Sequence, residues 1–359
     1  MLRPVRLLPL LVVSAVAAAC SDSGERGAPA PSGTGAGALP ADASPPIDAE
    51  GAVVVYSGRS ESLVAPVIAG FKERTGFDVK VRYGETAGLA ATILEEGDRS
   101  PADVYLAQDA GALGEMSDRE TLLALPEGVL SKVPPWLRST RGDWVGVSGR
   151  ARALAYSTER LKPEDLPASI LDLAEPRWKG RIGWAPTNGS FQAFVTALRV
   201  RRGEEGAGRW LEGMKANEPR EYPKNAPAVA AVASGEIDVA LVNHYYLFQF
   251  LKERGESFPV RNHFFPAGDA GNLVNVSGAG ILRSSKRPAA ARALLEFLLG
   301  EEAQRHFATE TVEYPVAADV PADPRLPPLG KVGHGDLDLN RLADLRGTLD
   351  LLRSAGVLK

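Results

Sequence analysis

One cysteine, Cys20, stands in 359 residues, so no disulfide can close within the chain and no thiolate cluster can hold a metal. Histidine is nearly as scarce. His244, His263, His306 and His334 lie far apart without metal-motif spacing, and they read as surface or satisfied core positions. Catalytic signatures are missing too: no Gly-x-Ser-x-Gly elbow, no phosphate-binding Walker loop, no His-Glu-x-x-His and no Cys-x-x-Cys. An enzyme is therefore disfavoured. There is no basic excess, since 41 Lys and Arg face 45 Asp and Glu, and that argues against nucleic acid as a partner. Nor is there an apolar run of the roughly 20 residues that a membrane-spanning helix needs.

The apolar stretch that does occur, Leu7 to Ala19, is about a dozen residues and follows Arg3 and Arg6, which is the pattern of an export signal. Residues 1–19 are expected to be removed, leaving 39 basic against 45 acidic side chains and a charge near −6. Small residues precede Cys20 as in a bacterial lipobox, although Ala17 stands where that motif prefers a branched residue. Cys20 is the expected lipidation site, which would place the protein in the periplasm or on the cell surface, anchored to a membrane through its N-terminal lipid. Residues 20–50 are Gly, Ala, Pro and Ser with scattered charges, and they read as a disordered tether.

The remainder exceeds what one hydrophobic core usually serves, so two lobes are expected. Ala52–Tyr56 reads as a strand, Glu61–Thr75 as an amphipathic helix, Phe77–Tyr83 as a strand, the stretch through Leu89, Ile93 and Leu94 as a helix, and Ala102–Ala107 as a third strand. That alternation predicts an α/β fold with a mostly parallel sheet flanked by helices. Gly180–Trp184 and Ile237–Val242 read as strands of a second lobe, with a helix over Phe191–Arg201. Arg150–Ser157 and Leu273–Leu282 are the expected hinge crossovers. Lobe one is placed at 51–151 plus 276–326, and lobe two at 152–275 plus 327–359.

Two motifs carry chemistry. Thr187-Asn188-Gly189-Ser190 precedes a helix, where free N–H groups and the positive dipole end favour an anion, and where Asn or Ser also serve simply as caps. Tyr245-Tyr246 follows a buried strand. Adjacent phenols there are often packing residues, yet two phenolates suit a hard trivalent cation such as Fe³⁺.

Together with Val54-Val-Tyr-Ser-Gly-Arg59, Glu96 to Val104, Val147-Ser-Gly-Arg-Ala-Arg152, Trp178 to Gly183 and Ser234 to Asn243, these motifs make the chain resemble the periplasmic ferric-ion-binding proteins of ABC importers, the bacterial transferrins. The resemblance runs over nearly all of residues 52–320. It implies a type II periplasmic-binding-protein fold and a monomer that hands its cargo to a membrane permease. It implies Tyr245 and Tyr246 as Fe³⁺ ligands, with a synergistic phosphate or carbonate held by Asn188, Gly189, Ser190, Asn225 and Asn243. Some members place a histidine where this chain has Ser60 and a glutamate where it has Gln108, and others supply a third tyrosine from the anion loop, which has none here. Ser60 and Gln108 are thus cleft contacts without a ligand's charge, and Arg59 and Arg150 are expected to face the anion. Arg152 has a plainer reading as a salt bridge between lobes. These cleft residues are arginines, phenols and amides with no carboxylate, so a periplasmic lyase or hydrolase is disfavoured. An organic or phosphorylated anion, or a ferric chelate, is the alternative ligand.

Overall fold

Val53–Ser57 (β1), a β-branched run buried except at Val54, is the central strand of the first lobe in this computed structural model, which describes residues 51–317, 320–332 and 337–359. The signal segment, Cys20, the tether and His334 lie outside the described residues. All described residues fall in one compact unit.

Helix α1 (Glu61–Thr75) lays Leu63, Val64, Val67, Ile68 and Phe71 against the sheet, and it stops at Gly76, whose φ of 74° is left-handed and whose N–H caps the Lys72 carbonyl. Strand β2 (Val79–Tyr83), helix α2 (Thr86–Glu96) and strand β3 (Val104–Ala107) complete a parallel β2-β1-β3 set, with α3 (Ala110–Asp118) following β3. After a single helical turn, α4 (Glu127–Leu130), the chain enters β4 (Val145–Ser157), the longest strand.

The second lobe runs through β5 (Ile182–Trp184), α5 (Gly189–Ala216), β6 (Arg220–Glu221), α6 (Asn225–Ser234), β7 (Val239–Asn243), α7 (Tyr245–Arg254) and β8 (Val260–His263). The chain returns through β9 (Val274–Ile281) to α8 (Pro288–Leu298), α9 (Glu301–Thr309) and β10 (Tyr314–Pro315), and it ends on α10 (Leu345–Ser354). Strand order is β2-β1-β3-β9-β4-β7-β5-β6, parallel within each lobe and antiparallel where β4 and β9 join them.

The hinge is legible in the pairing. Up to Ala151, β4 pairs with β9 and β10, and from Arg152 onward it pairs with β7 and β8. Arg152 N–H donates to Leu273 O at 2.8 Å, so both crossovers lie side by side. A satellite core of Ala151, Val274, Val312, Tyr314, Leu326 and Val332 packs there.

Two expectations need correction. The helix expected over Phe191–Arg201 begins at Gly189 and runs to Ala216, broken at Gly203 (φ 74°, ψ 169°). The C-terminal stretch is not confined to lobe two. Helix α10 packs on α5 through Thr348 Oγ1 and Thr196 Oγ1, 2.6 Å apart, but the turn before it presses on α3 of lobe one. There Gly111 has no side chain, and a Cβ on it would stand 2.6 Å from the Leu342 carbonyl oxygen. The tail straddles the hinge because small residues on α3 let its backbone in.

Candidate functional site

Strand β7 ends at Asn243, so the two tyrosines do not extend the strand but form the first turn of α7. Their rings pack at 4.4 Å between centroids with 31° between planes. Tyr245 is fully buried and Tyr246 is 6% exposed, at the wall of a cavity of about 280 Å³ between the lobes. Arg59, Ser60, Gln108, Asn188 and Lys224 line the same cavity.

The Asn188 loop turns toward it because Asn188 caps α5: its backbone is extended (φ −78°, ψ 130°) and its Oδ1 accepts from Ser190 N at 3.2 Å. Asn225, the first residue of α6, donates to the same Asn188 Oδ1 at 3.2 Å, and Asn243 donates to Ser190 Oγ at 3.0 Å. From the other lobe, Gln108 donates to Ser190 Oγ at 2.8 Å. A Cβ on Gly189 would lie 2.7 Å from Asp109 Oδ2, so only glycine lets the lobes approach this closely. The structure therefore brings Asn188, Gly189, Ser190, Asn225 and Asn243 into one hydrogen-bonded cluster with Gln108.

Three guanidinium groups lie beneath it. Arg59 is 2% exposed. It donates to Glu313 Oε2 at 2.6 Å and to the Tyr245 hydroxyl at 3.4 Å. Burial works against its charge, Glu313 more than offsets that, and its pKa is held above the ordinary arginine value. Arg150 is 1% exposed, and none of its three side-chain nitrogens has a hydrogen-bond partner among the described residues. Burial and the neighbouring Arg59 pull its pKa down. An unpartnered buried guanidinium is costly, and an oxyanion in the adjoining space would satisfy it. Among the described residues Arg152 makes no salt bridge, against its plainer reading. It donates to Leu241 O at 2.9 Å and to Asn243 Oδ1 at 3.4 Å, and it lies 5.8 Å from the ring centres of both Phe191 and Phe194. Burial brings its pKa down to about 9.

Burial also pushes the Tyr246 phenol well above its ordinary value, with the neighbouring Tyr245 adding to the shift, while Arg59 and a hydrogen bond from Asn225 favour the ionised form. A metal that offers positive charge would reverse the burial effect. No three His, Cys, Asp or Glu side chains converge on a possible metal position among the described residues; the hard oxygen donors that line the cavity are the phenols of Tyr246 and Tyr83 and the carboxylates of Glu61 and Glu85.

The cleft does contain carboxylates, which the sequence reading missed: Glu61 and Glu85 line the cavity. Beside residues that line it, Glu313 is fully buried, and Asp109 is 2% exposed at the cap of α3, where burial raises its pKa. Asp109 before a helical pattern is a recognisable N-cap signal. Glu313 announces itself only as a charge flanked by residues that turn out to be buried.

Comparison with known proteins points one way. A family described as bacterial extracellular solute-binding protein matches residues 100–338. The major ferric iron-binding protein of Neisseria meningitidis serogroup B is 36% identical over 311 residues, 85% of this chain and 93% of its own length. The Fe(3+)-binding periplasmic protein of Serratia marcescens is 33% identical over 312 residues, 86% of this chain and 92% of its own. Among solved structures, iron-bound HitA from Pseudomonas aeruginosa superposes with a TM-score of 0.82 at 37% identity, over 85% of this chain and 99% of that one.

Proposed function

The chain belongs to the bacterial extracellular solute-binding proteins, and on that premise we propose that it captures ferric iron between its lobes through the phenolates of Tyr245 and Tyr246. Proteins of this kind bind and deliver a solute and are not enzymes. One observation carries the ligand assignment: two phenols packed together on the first turn of α7, their ring centroids 4.4 Å apart, lie against a buried Arg59 that donates to one of them. Phenolate oxygen is a hard anionic donor suited to Fe³⁺.

A synergistic anion, phosphate or carbonate, fits the remaining donors. The Ser190 N–H and the amides of Asn225 and Asn243, which bond within the cluster here, would turn to the anion at the start of α5, and Arg150 offers three nitrogens without a partner among the described residues. Ser60 and Gln108 bring polar contact but no charge, which leaves coordination positions to the anion or water. The lobes close about the β4 and β9 crossovers, and the closed surface is what an ABC permease would engage. Export, attachment through lipidated Cys20 and action as a monomer complete the reading.

The buried arginines favour a second reading, an organic or phosphorylated anion as the cargo itself. A titration with ferric citrate at neutral pH separates them. The iron reading predicts one iron per chain with a visible phenolate-to-iron band, both lost in Tyr245→Phe/Tyr246→Phe. No band and no retained iron would transfer the site to an anionic ligand.

A further inference from the structure

Arg59 lines the cavity beside Lys224, Glu61 and Glu85, and Arg150 and Arg152 are buried close by; the three buried guanidiniums suit an oxyanion, and something must make the place hospitable to a cation. Glu313 stands against this charge. Its side chain is 0% exposed, and its carboxylate accepts from Arg59 at 2.6 Å, Ser148 Oγ at 3.0 Å and Thr311 Oγ1 at 3.0 Å. The backbone is bent to put it there. Val312, a buried β-branched residue, adopts φ 55°, a conformation rare for such side chains that persists only where surrounding contacts enforce it. Its carbonyl accepts from His244 Nε2 at 2.7 Å, directly before the tyrosines. The segment 311–314 thus touches the Arg59 loop and the start of α7 together.

We propose that Glu313 determines the specificity of the cleft as a built-in counter-anion: it neutralises Arg59 where a bound oxyanion would otherwise do so, and so tilts the site from anion toward cation. The inference rests on the ferric-iron reading for its metal arm and stands apart from it for its anion arm. Replacing the carboxylate by an amide of nearly the same shape leaves Arg59 at the cavity, and Arg150 buried near it, without that counter-charge. Anions then bind more tightly, and a trivalent cation without an anion binds more weakly.

The test compares wild type with Glu313→Gln, using inorganic phosphate as the probe on iron-free protein and, as the metal probe, ferrous chloride oxidised by air in contact with the protein in phosphate-, carbonate- and citrate-free buffer. Glu313→Gln is expected to bind phosphate about tenfold more tightly or better, the size expected for a unit charge removed a few ångströms from the ligand. Its iron affinity in anion-free buffer is expected to fall by about tenfold or more and to recover when phosphate is added. A residue that merely supports the fold would weaken both ligands, so phosphate affinity that is unchanged or weaker in the folded variant overturns the proposal. If wild type takes no iron at all, the ferric reading fails while the phosphate arm still decides the role of Glu313. If Glu313→Gln does not fold, wild type decides. Iron held after phosphate and carbonate are stripped supports an internal counter-anion, and loss of iron on stripping overturns it.

Discussion

At the scale of single residues the site depends on close approach and on charge. Gly189 is a point of close approach between the lobes, with the Asp109 carboxylate 2.7 Å from where a Cβ would stand. Gly189→Ala is therefore expected to oppose closure by about 1–3 kcal/mol, the usual cost of overpacking, and to weaken iron retention about tenfold. Competition against a chelator of known strength measures this, and unchanged retention would mean that the lobes do not meet there when loaded. The residues that sequence pattern makes legible are those whose type is chemically unusual for their place: paired phenols after a buried strand, and Asn-Gly-Ser before a helix. Less legible were residues whose importance is conferred by distant partners. Glu313 meets Arg59 across 254 positions of chain, and no local period marks it. Arg152 looked like an interlobe ion pair because arginines usually are, but its neighbours are the Phe191 and Phe194 rings on α5 and the end of β7, a setting that only the fold creates.

At the scale of elements, α7 and β4 are tied together at the hinge by one imidazole. His244 is fully buried between them. Its Nδ1 accepts from Ala151 N–H at 3.1 Å, which fixes Nε2 as the protonated nitrogen donating to Val312 O. Burial depresses its pKa from 6.5 to about 4, although the Val312 and Ala151 carbonyl oxygens facing the ring nitrogens favour the protonated form. The unfolded chain binds a proton below about pH 6.5 that the folded chain refuses until about pH 4, so stability falls as pH drops through that window, by on the order of 3 kcal/mol. Thermal unfolding of iron-free protein at pH 7 and pH 4.5, in wild type and His244→Gln, checks this. The wild-type loss should exceed that of the variant, and equal losses would place the acid sensitivity elsewhere. Element existence was legible throughout lobe one: β1, α1, α2 and β3 arise where β-branched runs and apolar stripes predict them. The helix after the anion loop was legible only in its first turns, since Gly203 leaves the helical region yet the chain resumes the helix to Ala216.

At the scale of the whole molecule, two parallel-sheet lobes are joined by antiparallel crossovers, and a C-terminal tail packs on both. The crossovers were readable as extended runs, with the boundary at Ala151 and Arg152 emerging from the pairing of β4. The tail was not, because packing against Gly111 and Gly114 leaves no signature in its own sequence. The central claim is that such a molecule closes on ferric iron by tyrosinate ligation, and it has a thermodynamic signature. A phenol holds its proton at neutral pH, and burial strengthens that hold at Tyr246, so ligation by two phenolates must displace two protons. Iron affinity measured against a competing chelator, corrected for that chelator's own protonation, should rise by about two decades per pH unit around neutrality. A slope near zero would contradict ligation by Tyr245 and Tyr246.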